Sequence, residues 1–267
     1  MLREKINYAH RGASAYAPEN TFAAFDLGLA MGANGIETDI QRTRDGTLVL
    51  YHDDTLQRLL GVSGSIADRM WDELRGFDLG QGTAYPGEKI PLLSEFLERF
   101  GEKPIHLALE LKQPGIEADV LRMLQQYRRA DERTVITSFH WQSICCFHEL
   151  APSIQTGFLT DRMDDDILQE MKNIGISQFC PRADTLSQGW VHKIRSLGFT
   201  IRPWGVATPE LMKAMVRLGV DGMTVNFPDL LTKEYQMASS RSHHTNTEIQ
   251  AGHGEGQPFH EKENQGK

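Results

Sequence analysis

Eight short apolar runs that alternate with amphipathic stretches predict an α/β chain closed into a (β/α)8 TIM barrel. Two further observations favour closure over a doubly wound open sheet. No Gly-x-Gly-x-x-Gly follows the first strand, and the reactive side chains gather where barrel strands would end. With 267 residues, 40% of them hydrophobic, the chain is long enough to bury one barrel-sized core. Strands are expected over residues 6–9, 35–40, 105–111, 134–138, 155–159, 176–180, 199–204 and 221–225. Between them, Phe22, Phe25 and Leu29, and again Leu211, Met215 and Leu218, recur at the three- and four-residue spacing of a helix.

The first strand ends in His10-Arg11-Gly12. Asn20, just before Phe22-Ala23-Ala24-Phe25, is expected to cap the helix that follows. Glu19 serves either that helix's positive end or the site itself. The second strand carries Glu37 and Asp39 two residues apart, hence on one face. Asp45-Gly46, between extended runs over 35–43 and 47–51, predicts a two-residue hairpin loop. That loop would pair Arg44 with Thr47 and set Asp39 opposite His52. Residues 53–91 hold eight glycines and prolines around one helical stretch at 68–76, and read as a small loop-rich insertion after the second strand. In Leu107-Ala108-Leu109-Glu110-Leu111-Lys112 the leucines pack on helices while Glu110 and Lys112 point inward. Trp204 ends the seventh barrel strand, and Asp164-Asp165-Asp166 starts a helix. His140, His148 and His192 are read as structural. The barrel with its insertion spans residues 1–237. The polar segment 238–267, with histidines at 243, 244, 253 and 260, is expected to be a disordered, solvated tail.

A net charge of -8 offers no basic field for nucleic acid or an anionic membrane. No apolar run is long enough to insert stably in a bilayer, and the first five residues lead into a strand without a signal-peptide core. Cys145, Cys146 and Cys180 are an odd number at no metal-ligand spacing, which suits a reducing compartment. A cytoplasmic protein is expected. Nothing in the sequence marks a dimer face, so oligomeric state is unknown.

Glu37, Asp39 and Glu110 would converge at the barrel mouth without three matching cations. Carboxylates that close either take up protons or bind a metal. Oxygen donors select a hard divalent cation, Mg²⁺ or Ca²⁺; zinc recruited by His10 and His52 is the other reading. Arg11 and Lys112 would grip a phosphoryl group, or else neutralise the same carboxylates as salt bridges.

Taken in order, His10-Arg11-Gly12, Pro18-Glu19-Asn20-Thr21, Glu37-x-Asp39, Thr43-x-Asp45-Gly46, His52-Asp53, Glu110-x-Lys112, Trp204 and Asp221-Gly222 through Asn226-x-Pro228 resemble the glycerophosphodiester phosphodiesterase family, bacterial cytoplasmic type. The resemblance spans Tyr8 to about Leu231. It implies metal-dependent hydrolysis of a small glycerophosphodiester to an alcohol and glycerol 3-phosphate. By position it makes Glu37, Asp39 and Glu110 the ligands of one divalent cation, and His10 and His52 the acid and base. Arg11 becomes the phosphate clamp, Glu19 and Lys112 neighbours of the phosphate and metal, and Trp204 an apolar wall. Departures fall at Arg58-Leu59-Leu60, Trp204-Gly205-Val206 and Val225, none of them a proposed ligand or proton-transfer group, and they leave the substrate-facing wall, and with it the preferred alcohol, open. The competing readings are a phospholipase D-like enzyme acting on lysophospholipids or sphingomyelin and a catalytically silent phosphodiester- or metal-sensing module. The identity of the alcohol, and water attack versus a cyclic phosphate route, stay open at this point.

Overall fold

The computed structural model describes the backbone of residues 4–127 and 130–251, and the side chains of 4–127 and 132–240. Its strands are β1 (Ile6–His10), β2 (Gly35–Arg42), β3 (Leu48–Leu50), β4 (His106–Leu111), β5 (Thr134–Ser138), β6 (Gln155–Thr160), β7 (Gln178–Pro181), β8 (Thr200–Ile201) and β9 (Gly222–Val225). Eight of them pair in parallel in the order β8-β7-β6-β5-β4-β2-β1-β9, and β3 lies antiparallel on β2. The ends of that row meet where the Asp221 amide donates to Ile201 O (3.0 Å) and the Ile201 amide donates to Asp221 Oδ2 (2.9 Å). The result is a nearly closed (β/α)8 barrel. Strand β8 stops at Ile201 rather than at Trp204, because Pro203 has no amide hydrogen to add to a sheet. Beyond Ile201 the chain still bonds to β7, the Arg202 amide donating to Phe179 O (3.1 Å) and the Trp204 amide to Pro181 O (3.0 Å), with an isolated bridge between Trp204 and Arg182.

The alternation along β4 sorts the interior. Leu107, Leu109 and Leu111 join the core between strands and helices, while Ala108 packs inside the barrel with Tyr8 and Val135. In the same outer core Phe25 of α1 (Phe22–Ala30) meets Phe96, 5.0 Å between ring centroids. The helix that begins within the acidic run, Asp165–Ile174, is capped by Asp164, which accepts from the Ile167 amide (3.0 Å).

After β3 come α2 (Gln57–Leu60), a single 3-10 turn (Ile66–Asp68) and α3 (Trp71–Leu74). The helical stretch anticipated over 68–76 is thus one turn. These pieces close a small core of their own from Val49, Tyr51, Leu56, Ile66, Leu74 and Ile90. The final helix, Pro228–Ala251, continues well past residue 238, where the polar tail was expected to begin. It is anchored at its start by Leu231 in the barrel core, and helical bonding propagates from that anchor through residues of ordinary propensity. Residues 252–267, and with them most of the expected tail, lie outside the described residues. Among the described residues no helix is long and apolar enough to cross a membrane.

Candidate active site

The hairpin differs from its expected register by one residue. Ile40 pairs with Leu50 and Gln41 with Val49, so Asp39 lies opposite Tyr51, whose amide donates to Asp39 O (3.0 Å). The loop holds three residues, not two. Thr43 closes it, its hydroxyl accepting from the Thr47 amide (2.9 Å) and donating to Asp45, while Gly46 takes a left-handed φ of +89°. His52 therefore reaches the site from beyond the strand.

Glu37 and Asp39 on β2 face the same interior as Glu110, which sits beside Asp39 in the β2–β4 register. One carboxylate oxygen from each lies within 4.8 Å of the others, and all three side chains are buried. Burial, then the charges of Asp39 and Glu110, push Glu37 well above the ordinary carboxylate range. Burial and the Asp39 charge likewise raise Glu110, against the opposing pull of Lys112. Burial would lift Asp39 too, but Arg11 and Lys112 outweigh it and hold that carboxyl below its usual value.

Lys112 and Arg11 form the salt bridges to the carboxylates that their positions allowed. The Lys112 ammonium donates to Glu110 Oε1 (2.8 Å) and stands 3.8 Å from Asp39 Oδ1. Arg11 donates to Glu19 Oε1 (2.9 Å) and brings Nε within 3.4 Å of Asp39 Oδ2. A left-handed Arg11 (φ +56°) makes this reach, its amide donating to both Glu37 O (2.9 Å) and Glu37 Oε2 (3.1 Å). Next to it a Cβ on Gly12 would lie 2.4 Å from the Ala24 carbonyl carbon, so only glycine lets this turn sit against α1.

His10 Nδ1 pairs with Asn226 Oδ1 at 2.6 Å, and Nε2 stands 3.8 Å from Glu37 Oε2. Burial, then the Arg11 charge, lower this imidazole to about 4. His52 Nδ1 pairs with Asp53 Oδ1 at 2.8 Å. His52 directly follows Tyr51, the residue opposite Asp39. Trp204 lies at the mouth, edge to face with the exposed ring of Phe139, 5.0 Å between centroids.

Sequence reasoning mistook one residue, gave a second no partner and passed over a third. Asn20 does not cap α1; Thr21 does, accepting from the Ala24 amide. Asn20 instead lies buried with φ +54°, its amide nitrogen donating to Asp39 Oδ2 (2.9 Å) while its oxygen accepts from Thr38 (2.7 Å). A capping asparagine and one poised over a carboxylate look alike in sequence, because Thr21 beside it satisfies the capping pattern equally well. Asn226 had no visible partner. Phe139 carried no signal at all. Glu19 turns to Arg11 and to Arg58 rather than to the helix end.

A metal ion fits the three carboxylates. Asp39 Oδ1 is buried without a hydrogen-bond partner, and the donor set is all oxygen. Residues 10–230 match the model of the Glycerophosphoryl diester phosphodiesterase family. The glycerophosphodiester phosphodiesterase of Caldanaerobacter subterraneus is 33% identical over 230 residues, covering 84% of this chain and 94% of that protein. A Bacillus subtilis glycerophosphodiester phosphodiesterase is 32% identical over 252 residues, 85% of each chain. Among solved structures, an Oleispira antarctica phosphodiesterase in complex with the product sn-glycerol-3-phosphate aligns with a TM-score of 0.79 and 25% identity, over 88% of this chain and 97% of that one. The barrel, the ordered motifs and these relatives agree: the chain belongs to the glycerophosphoryl diester phosphodiesterase family.

Proposed function

We propose that the protein hydrolyses glycerophosphodiesters to an alcohol and sn-glycerol 3-phosphate, with Glu37, Asp39 and Glu110 holding one Mg²⁺ or Ca²⁺. The observation that carries this reading is the buried carboxylate trio, whose Asp39 Oδ1 has no hydrogen-bond partner, flanked by two imidazoles and two cationic side chains. Three buried carboxylates served by two cations are costly alone and useful with a divalent ion. Bound there, the ion supplies neutralisation of charge developing on the phosphoryl oxygens. Arg11 then orients the phosphodiester with its planar fork, and Lys112 adds a point charge beside it.

Hydrogen bonding separates the two histidines. The Asn226 oxygen accepts from His10 Nδ1–H, which leaves Nε2 as the bare nitrogen turned toward the carboxylates and fits His10 for taking a proton. Behind His52 stands a carboxylate, Asp53, which stabilises the imidazolium and suits His52 for giving a proton to the departing alkoxide. The same arrangement serves a water nucleophile or the glycerol 2-hydroxyl. Trp204 and Phe139 form an apolar wall for the carbon skeleton.

Metal-stripped protein incubated with glycerophosphocholine, with Mg²⁺, Ca²⁺ or Mn²⁺ restored separately, tests the reading by release of glycerol 3-phosphate. Cation-dependent release is expected. Folded protein that releases none with any cation, yet cleaves the acylated analogue, would assign a lipid substrate instead.

A further inference from the structure

The rim of the site holds a second set of converging groups. Glu19, His52 and Asp53 each offer a ligand-type atom within 4.8 Å of the others. Here the cation is part of the chain. Arg58, on α2 of the insertion, donates through Nη1 to Glu19 Oε2 (2.8 Å) and through Nη2 to Glu19 Oε1 (2.7 Å). The same guanidinium donates through Nε to Asp53 Oδ2 (2.6 Å) and through Nη2 to Asp53 Oδ1 (2.8 Å). One planar fork thus grips two carboxylates bidentately, and each carboxylate has a second duty. Glu19 accepts from Arg11, and Asp53 pairs with His52. The Arg58 contacts hold Asp53 down at about 2, and Arg58 itself is raised by both carboxylates.

From this geometry we infer that Arg58 is a positioning residue, tying the phosphate-gripping Arg11 and the imidazole of His52 into one frame. The inference rests on the function proposed above. Arg58 touches none of the three metal-binding carboxylates, and the pathway Arg11–Glu19–Arg58–Asp53–His52 runs entirely through charge-assisted hydrogen bonds. Half of the Arg58 side chain faces solvent, so the network contributes little to overall stability. Its value lies in orientation. Rotating a clamp or a proton donor by a fraction of an ångström to an ångström costs up to ~10²-fold in rate. A lysine at 58 places one charge but cannot span both carboxylates in a plane.

The test is kinetic, with controls for folding. Arg58→Ala is expected to lower kcat by roughly 30-fold while KM moves less than about threefold, within the range for lost orientation. Arg58→Lys is expected to recover little, and free guanidinium ion to restore much of the Arg58→Ala activity while leaving Arg58→Lys unchanged. Binding of Mn²⁺, followed by calorimetry, and thermal melting should match the unsubstituted protein. Full activity in both variants would overturn the inference, as would a rate loss that tracks lost metal binding or lost folding and resists guanidinium. Failure of the underlying function shows differently: the unsubstituted protein would turn over no glycerophosphodiester. In that event the frame is still read from the Arg58 Nε–H resonance, which Asp53→Asn and Glu19→Gln should each shift if it exists.

Discussion

The floor and the rim of the site are built from similar groups and solved differently. At the floor, Glu37, Asp39 and Glu110 come from two adjacent strands, are buried, and leave Asp39 Oδ1 without a hydrogen-bond partner. At the rim, Glu19, His52 and Asp53 come from loops, are half-buried, and find their cation in Arg58. A carboxylate cluster closed by its own arginine has no need of an ion from solution, whereas one left short of positive charge does. Electrostatic need, more than the number of acidic residues, marks where a cation belongs.

The largest effect should come from breaking the floor. Glu37→Ala is expected to abolish Mn²⁺ binding in calorimetry and to reduce glycerol 3-phosphate release by at least ~10³-fold, since removing a ligand removes the charge stabilisation of the reaction with it. Unchanged metal affinity in that variant would show that the cation sits elsewhere.

Next, His10→Ala and His52→Ala should each lower kcat by ~10²- to 10⁴-fold, the usual worth of a positioned proton-transfer group, with Mn²⁺ binding retained. Near-normal turnover in both would remove the histidines from the reaction. Steady-state rates alongside metal titrations decide the matter.

Acidity offers a gentler probe that separates floor from rim. Glu37 is raised by burial and like charge, so in the metal-free protein it carries a penalty at neutral pH that fades as pH falls through its folded value. Protons then compete with the ion, and metal affinity should weaken about tenfold or more per pH unit once Glu37 begins to protonate. His10 has the opposite linkage. Its value of about 4 lies below the ordinary 6.5, so the stability tied to its neutral form is complete above 6.5 and is lost as pH falls toward 4. Asp53, at about 2, keeps the rim intact throughout that window. Melting curves with and without Mg²⁺ between pH 4 and pH 8 should therefore converge at the acidic end.

The smallest contrast lies one residue wide. Asn20→Ala removes a hydrogen bond to the buried Asp39 carboxylate and should cost ~1–3 kcal/mol in stability, together with a few-fold loss of metal affinity. Thr21→Ala removes only the helix cap and should cost ~1 kcal/mol, with metal binding unchanged. Equal metal affinities in the two variants would deny Asn20 its hold on the floor.

These contrasts follow the line between what the sequence made legible and what it hid. The floor could be read because strand periodicity alone fixes which side chains share a face: Glu37, Asp39 and Glu110 needed only alternation and the order of parallel strands. The rim could not. Arg58 meets Glu19 across 39 residues and an irregular insertion, where no period links one position to another. The hairpin slipped by one residue because Asp45-Gly46 suits the last two places of a three-residue loop as well as a two-residue turn, and the Thr43 hydroxyl decides between them. Asn20 was misread because capping and carboxylate-holding ask for the same small amide. The short β8 was written in the sequence as Pro203, whose effect the apolar run around it obscured.

That short strand gives the barrel a seam. Between β8 and β9 two hydrogen bonds, both to Asp221, stand where other neighbours share a longer run of pairing, and local opening is cheapest where the fewest bonds must break together. The amide protons of Ile201 and Asp221 should accordingly exchange with solvent ahead of those in β2 and β4. One residue beyond β9 stands Asn226, the partner of His10, so a breath of the barrel at its seam is also a momentary loosening of one imidazole in the site, while the carboxylate floor stays shut.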